Sequence, residues 1–392
     1  MAPIPQEKPS QENRVDLEIL TVAVRPRIGG MTSWIEQIAS GLSKRGWKVR
    51  LVSFSDRLDT EGREGYETIH VPTSPVGSFP IRSLDKAARW RKASIAYRQW
   101  RDKTPDPRIL LSDGTPGVMK VAAETSQRNR IPWVILTGGD VFAETEGVLF
   151  SSLLQKWIRE SMNSATRILV DGPDLVEALV SRGIHRNLFR VQPHGVDLSR
   201  FPVSKGEVKY FLADEFKPRI NLVWHGRLAE HHGPLRFLEI AEAIEGAQAR
   251  LCGAGEQQKE VEEILARSGK KHRWVGLLPR EELGRFLAEA EVGVYPLEKM
   301  AGVPTVLLES MAAGLPTLSY PTGAASELIR NGENGFLCRN KADMIGTIEK
   351  LTADGELRRR IGSIARKTIE MDWSEEATIK RLEVSLSEVA RP

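Results

Sequence analysis

The sequence alternates short apolar segments with segments of helical periodicity, and it does so in two separate series. The first series predicts strands at 17–24, 47–54, 67–71, 108–111, 133–136, 167–170 and 188–192. After a polar linker at 202–218, the second series predicts strands at 220–224, 249–252, 274–275, 292–295 and 317–320. Strands that alternate with helices form parallel, doubly wound sheets. The sequence therefore predicts an α/β protein with two Rossmann-like domains facing across a cleft.

The length of 392 residues also suits two domains better than a single hydrophobic core. We expect a disordered lead at 1–15, because this segment is polar and rich in proline. We expect the first domain to cover 16–202 and the second to cover 203–372. A last amphipathic helix is expected at 373–392.

Composition limits the compartment and the partners. A net charge of +4 is small for this length, so it does not predict nucleic-acid binding, although it favours ligands that carry phosphate. The two cysteines, Cys252 and Cys338, are expected to be free thiols in a reducing compartment. No segment has the apolar core of a signal peptide or the roughly 18 apolar residues that span a bilayer. We therefore expect a cytoplasmic protein, and peripheral membrane contact stays open.

Two loops of the first series are rich in glycine. Gly29 and Gly30 precede a helix, where glycines let a phosphate or sugar approach the backbone N–H groups. Their spacing is not that of the dinucleotide fingerprint, which argues against an NAD enzyme, and a tight turn is the alternative interpretation. The loop 137–140 ends another predicted strand. Its Asp140 either hydrogen-bonds a sugar hydroxyl or caps the next helix.

In the second series, the loop after the first strand presents Gly226 and Arg227 just before a helix. An arginine in this place can bind a diphosphate through two parallel hydrogen bonds and can neutralise a leaving group. His232 follows in the same loop and adds positive charge only when it is protonated. His231 and His232 have no carboxylate or cysteine at ligand spacing, so we predict no metal site.

Three further features of the second series point to a nucleotide site. Gly253 lies in a turn after a strand, where a plain tight turn is the alternative interpretation. Gly302 precedes a helix whose first-turn N–H groups, at Thr305 and Val306, can bind a diphosphate. Glu309 lies near the middle of this helix, where it either binds a ligand or is satisfied by nearby N–H groups.

Taken in order, these loops resemble those of the family 4 retaining glycosyltransferases, the glycosyl transferases group 1, which have the GT-B fold. The resemblance rests on the double glycine and on the segments 194–197 (HGVD), 226–228 (GRL) and 289–338, and it extends from about residue 16 to the C-terminal helix. It implies an N-terminal acceptor domain and a C-terminal nucleotide-sugar donor domain. It also implies that the helix at 373–392 packs back on the first domain.

The resemblance also implies roles for single residues. Arg227, with His232 when protonated, would stabilise the departing diphosphate, and Asp140 would lie near the reacting sugar. Glu309 would hold the donor ribose. The remaining donor contacts would come from backbone positions: Gly29, Gly30, Gly226, Gly253, Gly302, Thr305 and Val306.

Three positions depart from the family pattern. Gly138 stands where many relatives have a histidine that reaches the reacting sugar, and His232 stands where they have a lysine. Ala301 stands where they have a second glutamate upstream of Glu309, and Glu298 is the nearest carboxylate that could substitute for it.

The segment 82–103 is basic and aromatic. Trp90, Ala93, Tyr97 and Trp100 recur at helical spacing, and this face can pack on a sheet while the basic faces meet solvent. The alternative is contact with anionic lipid headgroups, which would bring an enzyme to a lipid-linked acceptor. Nucleic acid is not an expected partner.

We therefore predict a retaining glycosyltransferase that needs no metal or cofactor. It moves a sugar from a nucleotide-diphosphate sugar to an acceptor hydroxyl on a glycan, a lipid or a small molecule, for example in polysaccharide biosynthesis. A GT-B protein that binds a nucleotide sugar or a transferase partner without catalysis is the second hypothesis, and a nucleotide-sugar epimerase is the third.

Overall fold

The computed structural model describes residues 14–23, 30–54, 65–71, 82–142, 151–202, 220–268, 272–299 and 302–390, with only the helical backbone described for 82–88. Gly29 and Ala301 lie outside the described residues. Contacts divide the chain into two compact units, Met1–Gln192 with Ile379–Pro392, and Pro193–Thr378. The domain limits drawn from the sequence, with a boundary at 202/203, stay predictions.

The first unit alternates strands and helices in the manner that the sequence predicts. Its elements are β1 (Leu17–Thr21), α1 (Gly30–Lys44), β2 (Val49–Ser53), β3 (Glu67–His70), α2 (Arg82–Arg101), β4 (Ile109–Asp113), α3 (Pro116–Asn129), β5 (Trp133–Thr137), α4 (Ser151–Asn163), β6 (Arg167–Val170), α5 (Pro173–Ser181) and β7 (Phe189–Val191).

These strands form one parallel sheet with the order β3-β2-β1-β4-β5-β6-β7. Strands β1, β2, β4 and β5 are buried at every position, because helices cover both faces of a doubly wound sheet. Strand β1 ends at Thr21, earlier than the predicted 17–24. The reason is local, since the next N–H, that of Val22, donates to the Asp113 side chain at 2.9 Å instead of continuing the ladder.

The second unit repeats this plan. Its elements are β8 (Ile220–His225), α6 (Pro234–Glu242), β9 (Ala247–Cys252), α7 (Gln258–Arg267), β10 (Arg273–Trp274), α8 (Arg280–Ala288), β11 (Val292–Tyr295), α9 (Thr305–Ala312), β12 (Thr317–Ser319), α10 (Ala325–Leu328), β13 (Phe336–Leu337), α11 (Lys341–Ala353) and α12 (Gly355–Thr368).

Its sheet is also parallel, with the order β10-β9-β8-β11-β12-β13. The short strand β13 was not predicted, because two residues in a loop rich in glycine and asparagine give no periodic signal. The predicted α/β class, with two doubly wound parallel sheets, is confirmed.

The last helix, α13 (Glu375–Val389), begins in the second unit, and from Ile379 onward the chain belongs to the first. Within the first unit, this helix contacts α1. A Cβ added to Gly41 would lie 2.7 Å from the Ile379 side chain, so the glycine permits close packing. The Glu383 carboxylate then accepts hydrogen bonds from Arg45 at 2.6 Å and from the indole N–H of Trp47 at 3.0 Å.

Candidate active site

The order of strands reverses between β8 and β11, which are neighbours in the second sheet. In open α/β sheets, ligands bind at the carboxyl ends of the strands beside such a reversal. The two strands pair only through Leu222 with Val292 and Val223 with Gly293. Beyond these pairs lie the last residues of the strands, His225 and Tyr295, whose polar atoms meet at this edge.

His225 joins the two strand ends to helix α9. Its Nδ1 lies 2.8 Å from the Tyr295 hydroxyl, and its Nε2 lies 2.8 Å from Oε2 of Glu309. The His225 side chain is 5% exposed, whereas that of Glu309 is 25% exposed. Glu309, which the sequence singled out, is therefore fixed by the buried His225 and is still partly exposed at the surface of this unit.

Sequence reasoning missed His225 and Tyr295. A signal was present, because a titratable residue ends the mostly apolar strand β8 immediately before Gly226 and Arg227. Tyr295 ends strand β11 in the same way. The order of the strands makes these two residues neighbours, and the order could not be read from the residues alone.

The loop with Gly226 and Arg227 packs on the loop that follows β9. The N–H of Gly226 donates to the Cys252 carbonyl at 3.0 Å. Gly253 has a φ of +141°, and a Cβ there would lie 1.8 Å from the Gly226 carbonyl oxygen. Glycine is thus required at 253 by both conformation and space. Gly253 therefore lies in a tight turn, as one interpretation of the sequence predicted. Its contact with a donor nucleotide stays a prediction.

Arg227 projects from this loop, and its side chain is 65% exposed. Its Nε lies 3.2 Å from a carboxylate oxygen of Glu256, which is 57% exposed. An exposed ion pair of this kind contributes little to stability. The guanidinium can therefore exchange Glu256 for an anionic ligand at small cost.

His232 is half-buried in the same loop, and its Nδ1 has no hydrogen-bond partner in the described part of the chain. Burial, followed by the positive charges of His231 and Arg227, lowers the pKa of His232 to about 4. This lowered pKa favours the neutral imidazole near pH 7 in the unliganded site, and the role of His232 toward a diphosphate stays a prediction. A bound diphosphate would have to raise this pKa before His232 could act as a cation.

Helix α9 begins with Pro304 as its N-cap and Thr305 as its first residue. The N–H groups of Thr305 and Val306 lie in the first turn, where no preceding helical carbonyl is available. Thr305 is exposed and Val306 is buried. The carbonyl of Gly302, just ahead of the helix, accepts a hydrogen bond from the N–H of Ala324 at 2.9 Å.

Glu298, the suggested substitute for a glutamate at 301, pairs with an arginine of its own unit. Its Oε2 lies 3.3 Å from the Arg236 guanidinium, and its N–H donates to the His231 carbonyl at 2.8 Å. Arg236 also donates to the backbone carbonyl of Glu230 at 2.7 Å. This carboxylate helps to hold the loop together.

Gly30 and Asp140 belong to the first unit. Gly30 is exposed at the start of α1. One oxygen of Asp140 accepts from the N–H of Phe142 at 2.9 Å, and the other lies 3.4 Å from the Arg182 guanidinium. Asp140 thus stabilises the turn that follows β5, and it does not cap the next described helix, which begins at Ser151. Its contact with a sugar hydroxyl stays a prediction.

Gly138 lies beside a carboxylate that the sequence analysis did not select. A Cβ at Gly138 would lie 3.1 Å from Oδ2 of Asp171, which follows strand β6. Asp171 is 6% exposed, and its Oδ1 has no hydrogen-bond partner among the described residues. Burial, with a contribution from Asp174, raises the pKa of Asp171 to about 6.

Helix α2 packs on the first sheet through the face that the sequence predicts. Ala93 and Tyr97 are buried, and the Tyr97 hydroxyl donates to the fully buried Glu18 at 2.6 Å. Arg101, which counted toward the basic surface, is itself 3% exposed and lies 3.4 Å from Glu18. Ile95 is 47% exposed between solvent-facing basic residues. The core-facing interpretation is thus correct for one side of the helix.

Two features are absent from the described ranges. No set of three or more His, Cys, Asp or Glu side chains there is arranged to hold a metal ion. None of the helices described there is both long and apolar enough to cross a bilayer.

Comparison with protein families matches both halves of the chain. The family described as Glycosyltransferase Family 4 matches residues 28–200, and Glycosyl transferases group 1 matches residues 214–368. Among curated proteins, a GDP-mannose-dependent alpha-mannosyltransferase of Corynebacterium glutamicum is 25% identical over 86% of this chain and 79% of its own length. A GDP-mannose-dependent phosphatidylinositol monomannoside mannosyltransferase of the same organism is 22% identical over 93% and 96%.

Solved structures share the fold at lower identity. Sucrose-phosphate synthase from Thermosynechococcus elongatus has a TM-score of 0.77 and 18% identity, covering 96% of this chain and 99% of its own. Anabaena HepE in complex with UDP has a TM-score of 0.75 and 17% identity, covering 95% and 100%. At these identities the likeness shows the fold alone.

Proposed function

Because the chain belongs to the family 4 glycosyltransferases of the GT-B type, we propose that it transfers a sugar from a nucleotide-diphosphate donor to an acceptor hydroxyl with retention of configuration. One observation carries the proposal. At the strand reversal of the second sheet, a partly exposed carboxylate, Glu309, is fixed by His225 beside a loop that presents Arg227.

The donor site follows from this edge of the sheet. Arg227 binds the diphosphate in place of Glu256, and the N–H groups of Thr305 and Val306 take further phosphate oxygens at the start of α9. Glu309 accepts hydrogen bonds from the ribose hydroxyls. Gly226 and Gly253 have no side chains, so the nucleotide can approach the backbone of these two loops closely. Because Arg227 and these N–H groups stabilise the negative charge of the diphosphate, the proposed transfer needs no metal.

In the transfer, the bond between the anomeric carbon and the donor phosphate oxygen breaks, and a bond from that carbon to the acceptor oxygen forms on the same face. The proton of the acceptor hydroxyl passes to the leaving phosphate. Arg227 stabilises the negative charge that develops on this phosphate. No side chain is assigned as a general base.

We assign the acceptor to the first unit and to the class of cell-envelope glycans or lipid-linked sugars. Curated relatives carry names of this kind, among them a teichuronic acid biosynthesis glycosyltransferase and a lipopolysaccharide core biosynthesis glycosyltransferase. Peripheral contact of α2 with an anionic membrane belongs to this proposal. It is supported by the exposed Arg91, Lys92 and Ile95 on the face opposite Tyr97.

A second function, nucleotide-sugar binding without catalysis, is favoured by two observations. The cation expected at 232 is a neutral imidazole in the unliganded site. The position that carries a sugar-directed histidine in many relatives is Gly138, which has no side chain. Both changes remove a group that acts on the reacting sugar or on the leaving diphosphate.

Ligand binding and turnover separate these functions. Thermal unfolding is measured with UDP, GDP, ADP and CMP, with and without Mg²⁺, because a ligand of the folded state raises the melting temperature. The corresponding nucleotide sugar is then incubated with and without acceptor. Donor consumption that requires acceptor and survives chelation of metal supports the transferase. Binding without consumption supports the second function, and the absence of any binding contradicts both.

A further inference from the structure

His225 connects two parts of the proposed donor site that lie on different elements. It is the last residue of β8 and directly precedes the loop of Arg227, while its Nε2 lies 2.8 Å from Glu309 on helix α9. The contact thus ties the phosphate-binding loop to the ribose-binding carboxylate. Neither sequence pattern nor family comparison gives this histidine a role.

The protons of this chain of side chains can be assigned. A carboxylate accepts hydrogen bonds, so His225 donates from Nε2 to Glu309. In a neutral imidazole, Nδ1 is then an acceptor, and the Tyr295 hydroxyl at 2.8 Å donates to it. Tyr295 is fully buried, and burial raises its pKa above the ordinary value, so the phenol keeps its proton.

Ser310, on α9, also lies within hydrogen-bonding reach of the Tyr295 hydroxyl, so its own proton has to be assigned. Thr317 donates its hydroxyl proton to the Leu315 carbonyl at 3.1 Å. The Thr317 oxygen therefore accepts from Ser310, which lies 2.8 Å away. The proton of Ser310 is thereby used on Thr317, so Ser310 does not donate to the Tyr295 hydroxyl.

Glu309 depends on this support. It is the one glutamate that remains of the pair expected in the family, because position 301 is alanine. A quarter-exposed glutamate without a partner samples several rotamers, and a ligand that needs one of them loses affinity. A partner that fixes the rotamer before binding removes this loss.

We propose that His225 is the positioning residue of the donor site, and that its imidazole, backed by Tyr295, fixes the Glu309 carboxylate for the two ribose hydroxyls of the nucleotide. This inference rests on the proposed function, since it takes Glu309 as the ribose-binding group. It predicts that His225 acts on recognition of the ribose and not on that of the phosphates.

The test compares a ribonucleotide with its 2′,3′-dideoxy counterpart by calorimetry, using UDP or GDP, whichever binds wild type more tightly. His225→Val removes the donor and places a strand-forming residue in β8. We expect a loss of about 10-fold in affinity for the ribonucleotide, the size expected for a lost hydrogen bond to a charged group. Affinity for the dideoxynucleotide should stay within about 2-fold, since Arg227 and α9 are unchanged.

Three further variants sharpen the test. His225→Gln keeps an N–H donor near Glu309 and should restore part of the preference for ribose. Glu309→Gln should reduce the preference at least as much as His225→Val. His272→Gln is the matched control, because His272 is also buried and lies 2.9 Å from a carboxylate, that of Glu242. This control should lower stability without changing the preference.

The outcomes separate the positioning role of His225 from the proposed donor site. If Glu309→Gln removes the preference for ribose and His225→Val does not, the positioning role of His225 is wrong and the proposed donor site stands. Equal losses for both nucleotides in His225→Val would also overturn it, since they would show a general distortion. If wild type binds none of the nucleotides, the proposed function fails and takes this inference with it.

Discussion

The two units use the same sheet plan but treat the strand reversal differently. In the first unit, the reversal lies between β1 and β4. Asp113 ends β4, and its Oδ2 accepts from the Thr21 hydroxyl at 2.6 Å and from the N–H of Val22 at 2.9 Å. Its Oδ1 accepts from the N–H of Thr115 at 2.9 Å. This carboxylate is 2% exposed, and both of its oxygens accept hydrogen bonds from the two strand ends and the turn after β4.

In the second unit, the corresponding edge is joined by His225 and Tyr295, and the carboxylate stands above them on α9. Glu309 keeps a quarter of its side chain exposed. The same fold thus uses a buried carboxylate to join its strand ends in one unit and exposes a carboxylate to a ligand in the other. Sequence position alone does not distinguish the two uses.

The largest expected effect tests the ligand-facing character of the second edge. Arg227→Ala should lower kcat/KM for transfer by about 100-fold or more, because the charge of the leaving diphosphate loses its partner. Stability should change by less than about 0.5 kcal/mol, because the side chain is largely exposed. Arg339→Ala removes a still more exposed arginine of the same unit that also pairs with a carboxylate, and this control should retain activity. Unchanged transfer in Arg227→Ala would show that the diphosphate binds elsewhere.

The next effect tests the closed character of the first edge. Asp113→Ala should lower the free energy of unfolding by about 3 kcal/mol, because the hydroxyl of Thr21 and two backbone N–H groups lose their acceptor. Asp354→Ala is the comparison, since this exposed carboxylate caps α12 through one hydrogen bond, and its loss should be about 1 kcal/mol. Chemical denaturation measures both. Equal losses would mean that Asp113 is no more structural than a helix cap.

Asp171 is the exception that could break the comparison, since it is a buried carboxylate of the first unit with an unpartnered oxygen. Its pKa is raised from 3.8 to about 6, so the folded state disfavours the charged form. The penalty is fully present above pH 6 and disappears as the pH falls below the unfolded value. Asp171→Asn should therefore stabilise the protein by about 1–2 kcal/mol at pH 8 and by almost nothing at pH 4.

Melting temperatures of wild type and Asp171→Asn across this pH range check the prediction. A gain that does not vary with pH would point to packing instead of ionisation. A loss at pH 8 would show that the charged carboxylate has a partner that stabilises it.

The smallest effect concerns His232, the half-buried group of the second edge. Its pKa of about 4 leaves it neutral in the free protein, and a bound diphosphate raises that pKa. Binding then takes up a proton, so the affinity for UDP or GDP should increase as the pH falls from 8 toward 5. The gain relative to His232→Gln should be about 3-fold to 10-fold.

The glutamine variant corrects for protonation of the nucleotide itself. Calorimetry in buffers of different ionisation enthalpy should detect proton uptake by wild type and not by His232→Gln. His232→Lys should bind more tightly than either at pH 8. Identical pH profiles for wild type and His232→Gln would show that the imidazole does not meet the phosphate.

Much of the candidate site could be predicted because its residues follow the ends of apolar strands. The alternation of segments identified both sheets, and the glycine turns identified the loops of Gly226, Gly253 and Gly302. Arg227 was recognisable from its place in one of these loops, and Glu309 from its place in the helix that follows Gly302. The lowering of the His232 pKa was not recognisable, because it depends on burial and on the nearness of His231 and Arg227.

Asp113 and Asp171 illustrate the same limit. Both lie at the ends of apolar strands and look alike in sequence. Both oxygens of Asp113 accept hydrogen bonds, whereas Oδ1 of Asp171 has no hydrogen-bond partner among the described residues. The number of donors within reach of a carboxylate is decided by which strands become neighbours and by the turns that follow them. Neither quantity is encoded in a local pattern.

The pattern of residues alone predicts the α/β class, the two sheets, most strand positions and the glycines that the site loops require. These depend on local periodicity and on backbone conformation, which are properties of short segments. The hydrogen-bonded chain of His225, Tyr295 and Glu309 forms only when the strands assemble, and so does the burial that lowers the pKa of His232. Such facts depend on the order of strands in a sheet, because that order brings residues far apart in the chain within hydrogen-bonding distance and removes them from water.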